Sequence, residues 1–165
     1  MGLPTRNSPV IYEGIVFLDA YYFHAFKSTN GREIWKAGPF SEASQCAASK
    51  GMVYFSGVII GDKDKNYRYK YLYSFIARNG KEAWKHRISS WEIYPSLPAE
   101  YISEALEPEI PGNQVIISGD MIHLLFIGNK WWRTGIDPFR KGTGEITGIS
   151  ENVDRHYPQD NRRGD

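Results

Sequence analysis

The chain has 165 residues, 41% hydrophobic and 24% charged, which suits a folded domain with its own core and excludes a disordered chain. Its 20 Lys and Arg stand against 19 Asp and Glu, a formal charge of +1, so no long-range field draws nucleic acid or an anionic membrane to it. The one cysteine, Cys46, excludes an intrachain disulfide and a thiolate-based zinc site, and is expected as a small buried apolar residue.

At the N-terminus, MGLPTRNSPVIYEGIVFLDAYYF has its apolar residues interrupted by Pro4, Pro9, Glu13 and Asp19. It reads neither as an export signal nor as a membrane span, and no segment reaches the roughly 18 apolar residues that a span needs. A soluble chain, cytoplasmic as written, is the expectation. The 16 Gly and 15% aromatic residues suit short strands joined by tight turns.

A first unit, residues 8–43, opens on SPVIYEGIVFLDAYYFHAF and reaches TNGREIWK at 29–36. A second, residues 44–95, runs from SQCAASKGMVYFSG through YKYLYSFIA to RNGKEAWK at 78–85. Both phrases read Asn-Gly, a basic residue, Glu, an apolar residue, Trp, Lys, and their glycines, Gly31 and Gly80, lie 49 residues apart. Asn-Gly between two apolar strands predicts a two-residue type I′ hairpin, with positive φ at both residues. A third, worn copy spans 110–150, with IPGNQVIISGDMIHLLFIG for the first half and GIDPFRKGTGEITGI for the second; Thr143-Gly144 stands in for Asn-Gly, and Gly148 stands where the Trp would be. Each unit predicts about four short antiparallel strands, and the chain is all-β. A lone four-stranded unit cannot cover both faces of its sheet, whereas stacking on a neighbour does, with a Trp large enough to fill the seam.

Three segments lie outside this pattern. GDKDKNYRYK (61–70) is a charged hairpin tip, SLPAEYISEALEPEIPG (96–112) is an acidic connection with a short helix expected at 99–106, and residues 151–165 form a polar tail. In the tip, Asp62, Asp64 and Asn66 alternate as a calcium loop begins, but Tyr67 and Tyr73 stand where an EF-hand needs Gly and Glu. Tyr67, Tyr69, Tyr71 and Tyr73 interleave with Arg68 and Lys70, yet alternation on a strand sends rings and cations to opposite faces, predicting a half-buried strand with a solvated basic face rather than a nucleic-acid platform. His24, His86, His123 and His156 share no ligand spacing, and His24 and His123 are expected as hydrogen-bonded sheet residues. No nucleophile elbow, phosphate loop or dinucleotide fingerprint occurs.

The pattern Ala-Phe-x-x-x-Asn-Gly-x-Glu-x-Trp resembles the repeat of pyrroloquinoline-quinone-type (quinoprotein-like) β-propellers, over roughly residues 8–150. The resemblance implies a partial β-propeller of about three four-stranded blades. It also implies blade docking through a Trp four residues after the turn glycine, which matches Gly31 with Trp35 and Gly80 with Trp84. The family's Asp four residues before that glycine is replaced by Lys27 and Ile76, with Asp137 the nearest acid in the third copy. Enzymes of the family hold a quinone and calcium on the propeller axis with acidic and amide side chains; no residue here matches those ligands or the catalytic base, so no cofactor, metal or catalytic residue is assigned. Members without cofactor residues include assembly scaffolds of the bacterial outer membrane, often periplasmic. The leading expectation is therefore a non-catalytic scaffold, binding a protein partner or itself through open blade ends, with Trp131 and Trp132 as a possible interaction surface. The alternatives are a fragment of a quinoprotein dehydrogenase, or a propeller that binds carbohydrate or another small ligand.

Overall fold

A computed structural model describes residues 7–61, 67–92, 114–126 and 135–147. All its regular structure is strand, in three antiparallel sheets that follow one another along the chain. The first contains β1 (Val10–Tyr12), β2 (Ile15–Asp19), β3 (Phe23–Lys27) and β4 (Glu33–Ala37), in that order across the sheet. In the second, β7 (Met52–Ile60), β8 (Tyr67–Ile76) and β9 (Glu82–Glu92) stand beside an inner strand split into β5 (Glu42–Ala43) and β6 (Ala47–Ser49), both paired with β7. The third comprises β10 (Gln114–Ser118), β11 (Met121–Phe126) and β12 (Gly135–Arg140), with a bridge from Phe139 to Ile146 marking the place of a fourth strand.

The expectation of uniformly short strands fails in the second sheet, where β7, β8 and β9 run for 9, 10 and 11 residues. Residues 68–70, expected in the charged tip, belong to this hairpin, since Met52 through Ile60 pair without a break with Ile76 through Arg68.

The turns also differ from expectation. Gly31 and Gly80 have φ of 69°, but Asn30 and Asn79 are not among the positive-φ residues, so these are not type I′ hairpins. Lys27 C=O accepts from both Asn30 N–H and Gly31 N–H, and Lys27 N–H donates to Arg32 C=O, closing a four-residue loop. Ile76 makes the same three bonds with Asn79, Gly80 and Lys81, and Arg140 makes them with Thr143, Gly144 and Glu145. The residue before each glycine serves the loop through its side chain: Asn30, Asn79 and Thr143 accept from the N–H two residues on. Thr143 therefore fills the role of Asn, and the third turn takes the same form as the first two.

Alternation builds the core. In β2 the burial alternates, with Ile15, Phe17 and Asp19 buried and Val16 and Leu18 half-buried, as expected of a sheet packed on one face. In β7, every residue from Val53 to Val58 is buried, as expected of a sheet covered on both faces. One apolar cluster joins the first sheet to the second through Phe17, Phe23, Trp35, Phe55, Tyr73 and Phe75; another joins the second to the third through Tyr54, Leu72, Val115, Ile122, Leu124 and Phe139. Gln45 and Gln114 bridge in parallel, so the inner strands of sheets two and three run the same way, as units wound in one sense require.

The solvated basic face expected along β8 does not form. Lys70 is buried and Arg68 half-buried, because that side of β8 continues into Leu72 and Ser74 and faces the third sheet. The tyrosine side is core: Tyr73 stacks on Phe55 and Phe75, and Tyr71 packs against the same cluster. Among the described residues, no helix is long and apolar enough to cross a membrane.

Candidate functional site

Each seam between sheets is made by a tryptophan of one unit and the turn of the next. Phe17, Ala25 and Trp35 line up across β2, β3 and β4, and Tyr54, Ser74 and Trp84 line up across β7, β8 and β9. A small residue between two aromatic ones lets each row lie flat against its neighbour. Trp35 Nε1–H donates to Ala77 C=O at 2.7 Å, and its ring stacks on Phe75 at 6.0 Å. Trp84 Nε1–H donates to Lys141 C=O at 3.2 Å. Each indole thus caps the carbonyl three residues before the following unit's turn glycine.

Those glycines are needed for space as well as for φ. A Cβ on Gly80 would lie 2.5 Å from Trp35 Cδ2, and one on Gly144 would lie 2.4 Å from Trp84 Cε3. Trp35 therefore meets Gly80 of the second unit, not Gly31 of its own, and Trp84 meets Gly144. A Cβ on Gly31 would meet nothing within 4 Å. Secondary contacts reinforce both seams: Gly51 N–H donates to Tyr12 Oη at 2.9 Å, Phe23 stacks on Phe55 at 4.0 Å, and Lys141 Nζ reaches Ser49 Oγ at 3.3 Å.

The face of the first sheet turned away from Trp35 is a second candidate. Ile11 pairs with Val16 and Val16 with Phe26, while Leu18 pairs with His24 and His24 with Lys36. Val16, Leu18 and Phe26 belong to neither core cluster, and Ile11 is 71% exposed. His24 stacks on Phe26 and its Nδ1 lies 2.7 Å from Glu33 Oε2, so it is hydrogen-bonded to a side chain on this open face. His123 is half-buried on β11.

A third cluster lies where β2 ends beside β5. Asn7 Nδ2–H donates to Asp19 Oδ2 at 2.8 Å and to Ala43 C=O at 3.2 Å. Desolvation raises the Asp19 pKa against the opposing hydrogen bond from Asn7. Cys46 is buried, and desolvation pushes its thiol up to about 12, with the Asp19 charge acting in the same direction. Such a thiol stays protonated and is a core residue rather than a nucleophile. Among the described residues, no group of three or more His, Cys, Asp or Glu side chains converges to hold a metal ion. Trp131, Trp132, Asp62, Asp64, Asn66, Gly148 and the 99–106 segment lie outside the described residues.

Three successive antiparallel sheets, two indole-filled seams and a parallel bridge between the inner strands of the second and third sheets are those of a partial β-propeller. No protein-family model matches the chain, and no curated protein matches its sequence. Solved structures do resemble it. BamB from Moraxella catarrhalis aligns with a TM-score of 0.52 and 12% identity, covering 86% of this chain and 33% of that one. A europium-containing methanol dehydrogenase gives 0.57 and 10%, covering 90% and 26%. The quinohemoprotein alcohol dehydrogenase ADHIIG from Pseudomonas putida HK5 gives 0.54 and 15%, covering 88% and 21%. At these identities the likeness is one of fold, and the chain spans a third or less of each of these proteins.

Proposed function

We propose that this chain is a non-catalytic propeller-repeat scaffold that works by protein contact. The observation that carries this reading is the outer face of the first sheet, where Ile11, Val16, Leu18 and Phe26 form an apolar surface that, among the described residues, lies outside both core clusters. An uncovered apolar face on a sheet is a common mark of an interaction site. The likeness in fold to BamB favours the same reading. With no partner present, the face is satisfied by pairing between copies, so light scattering on the full chain shows a mass that rises with concentration. Leu18→Glu, which places a charge on that face, holds the chain monomeric. A wild-type chain that stays monodisperse at high concentration refutes the reading.

The rival is a fragment of a quinoprotein dehydrogenase, which two neighbours being dehydrogenases favours. Spectroscopic titration with pyrroloquinoline quinone and calcium separates the two. The scaffold gives no saturable binding, and tight stoichiometric binding overturns it.

A further inference from the structure

The strands of the first two sheets start level at the turn glycines and end at different heights. β2 and β7 begin one residue after Gly14 and Gly51, β3 and β8 stop four residues before Gly31 and Gly80, and β4 and β9 begin two residues after them. Since β2, β3 and β4 have 5 residues each and β7, β8 and β9 have 9, 10 and 11, all the extra length stands at the far end, beyond the edge of the first sheet. Phe40 marks where the cover stops. Its N–H donates to Tyr21 C=O at the end of the first sheet, its ring lies edge-on to Tyr73, and a Cβ on Gly57 would lie 2.9 Å from its Cδ1. Below Phe40 this face of the second sheet is core. Above it, Ile59, Tyr69 and Tyr71 are half-buried, and Tyr69 belongs to neither apolar cluster. The resulting notch comes from the difference in strand length between two adjoining sheets, both within the described residues.

Alternation sends Arg68 and Lys70 to the other side of β8, but β9 returns cations to the tyrosine side. Lys85 pairs with Tyr73 and Arg87 with Tyr71, so both share the face of these rings. Both are exposed, neither is ion-paired among the described residues, and Lys85 Nζ stands 5.3 Å from the centre of the Tyr71 ring. Neither the Tyr69 nor the Tyr71 hydroxyl meets a hydrogen-bond partner among the described residues. The notch therefore offers ring surface and hydrogen-bond donors, with positive charge along one side. Rings two residues apart on β8 stand 5.8 and 6.1 Å from each other. Two residues of a polyproline II helix cover about 6.2 Å.

We infer that this notch binds a proline-rich segment of a protein partner, in polyproline II form and carrying carboxylates. This rests on the scaffold reading and names its partner class. Proline has no N–H and the polyproline II backbone makes no internal hydrogen bonds, so such a segment presents carbonyl acceptors to the tyrosine hydroxyls and pyrrolidine rings to the aromatic surface. With three residues per turn, an acid at every third position lies along one edge, where Arg87 and Lys85 meet it. A single-stranded nucleic acid fits less well, because Glu82 lies close enough to act on Tyr73 and the charges of a continuous phosphate chain cannot be spaced to avoid it.

The test titrates the full, isotope-labelled chain with the synthetic peptide PPEPPEPPE. The amide resonances of Ile59, Tyr69 and Tyr71 move along one saturable curve, while those of Gly31 and Gly144 stay in place. The basic peptide PPKPPKPPK binds about tenfold more weakly, because its cations meet Arg87 and Lys85. Arg87→Glu, an exposed position outside both core clusters, reverses that preference, and Tyr69→Ala weakens the acidic peptide about fivefold. Both variants keep the wild-type resonances away from the notch, which separates a lost contact from a lost fold. No saturable shift at Tyr69 and Tyr71 overturns the proposal. So does equal affinity for the two peptides, an unchanged preference in Arg87→Glu, or saturable binding of oligo(dT) in place of the acidic peptide. If the peptide fails while Leu18→Glu still abolishes association, the scaffold reading survives and the notch proposal falls. If the peptide fails and Leu18→Glu changes nothing, the scaffold reading falls as well.

Discussion

Gly31→Ala and Gly80→Ala place the same methyl group on the same backbone, and only one of them meets a neighbour. Both glycines have φ of 69°, where an L-residue other than Asn or Asp costs about 1–2 kcal/mol. That cost is common to the two variants and cancels between them. At Gly80 the new carbon lies 2.5 Å from Trp35 Cδ2 and 2.7 Å from Cγ, about 1 Å inside ordinary carbon contact of roughly 3.5–4.0 Å. The indole has to retreat by that distance, which breaks its 2.7 Å bond to Ala77 C=O. Overpacking costs about 1–3 kcal/mol and the lost hydrogen bond about 0.5–1.5, so Gly80→Ala is less stable than Gly31→Ala by about 2–4 kcal/mol. With a urea dependence of about 2 kcal/mol per molar, the two midpoints separate by about 1–2 M. Tryptophan emission reports the transition, and the blue edge expected of a buried Trp35 weakens in Gly80→Ala alone. Coincident midpoints for the two variants would refute the close approach of indole to glycine on which the seam account depends.

Other outcomes follow from the same contacts. Trp84→Ala lowers stability by about 3 kcal/mol, near the small end of the range for Trp truncation because Trp84 is half-buried, whereas a substitution at Asp64 leaves the denaturation midpoint in place. Cys46 resists iodoacetamide at pH 8 in the native chain and reacts fully once urea unfolds it, as mass spectrometry would show; native alkylation at the unfolded rate contradicts its burial. The Asp19 carboxyl holds its proton more tightly folded than unfolded, so its contribution favours the folded state as pH falls towards 3.8 and is lost as pH rises through the folded value. Asp19→Asn keeps an oxygen to accept from Asn7 and removes that pH dependence, which urea titrations between pH 4 and pH 7 would detect.

The repeat was legible because its signals are local. Turn glycines, the alternation in IVFL and FHAF, and a Trp at fixed distance are properties of a few neighbouring residues, and they set four strands per unit in the first sheet. Strand length was not legible in the second sheet, because the charge around DKDKN reads as a loop, whereas Met52–Ile60 and Arg68–Ile76 on either side pair over their whole length. Lys70 was misread for a related reason. Alternation assigns it correctly to the face opposite the tyrosines, but only the neighbouring sheet decides that this face is covered. The turn type failed at Asn30 and Asn79 because Asn-Gly is shared by two loop forms, and the choice depends on two residues further upstream. Spacing within one phrase pairs Gly31 with Trp35, while the physical contact pairs Trp35 with Gly80 in the next unit; no single phrase contains that fact.

Gly80 and Gly144 are constrained twice and Gly31 once. The φ of 69–70° shared by the three turns can be met by Asn as well as Gly, so φ alone does not demand glycine at any of them. At Gly80 and Gly144 the indole above the backbone removes the alternative, since any Cβ falls within 2.5 Å of a ring carbon. At Gly31 the described structure offers no such reason.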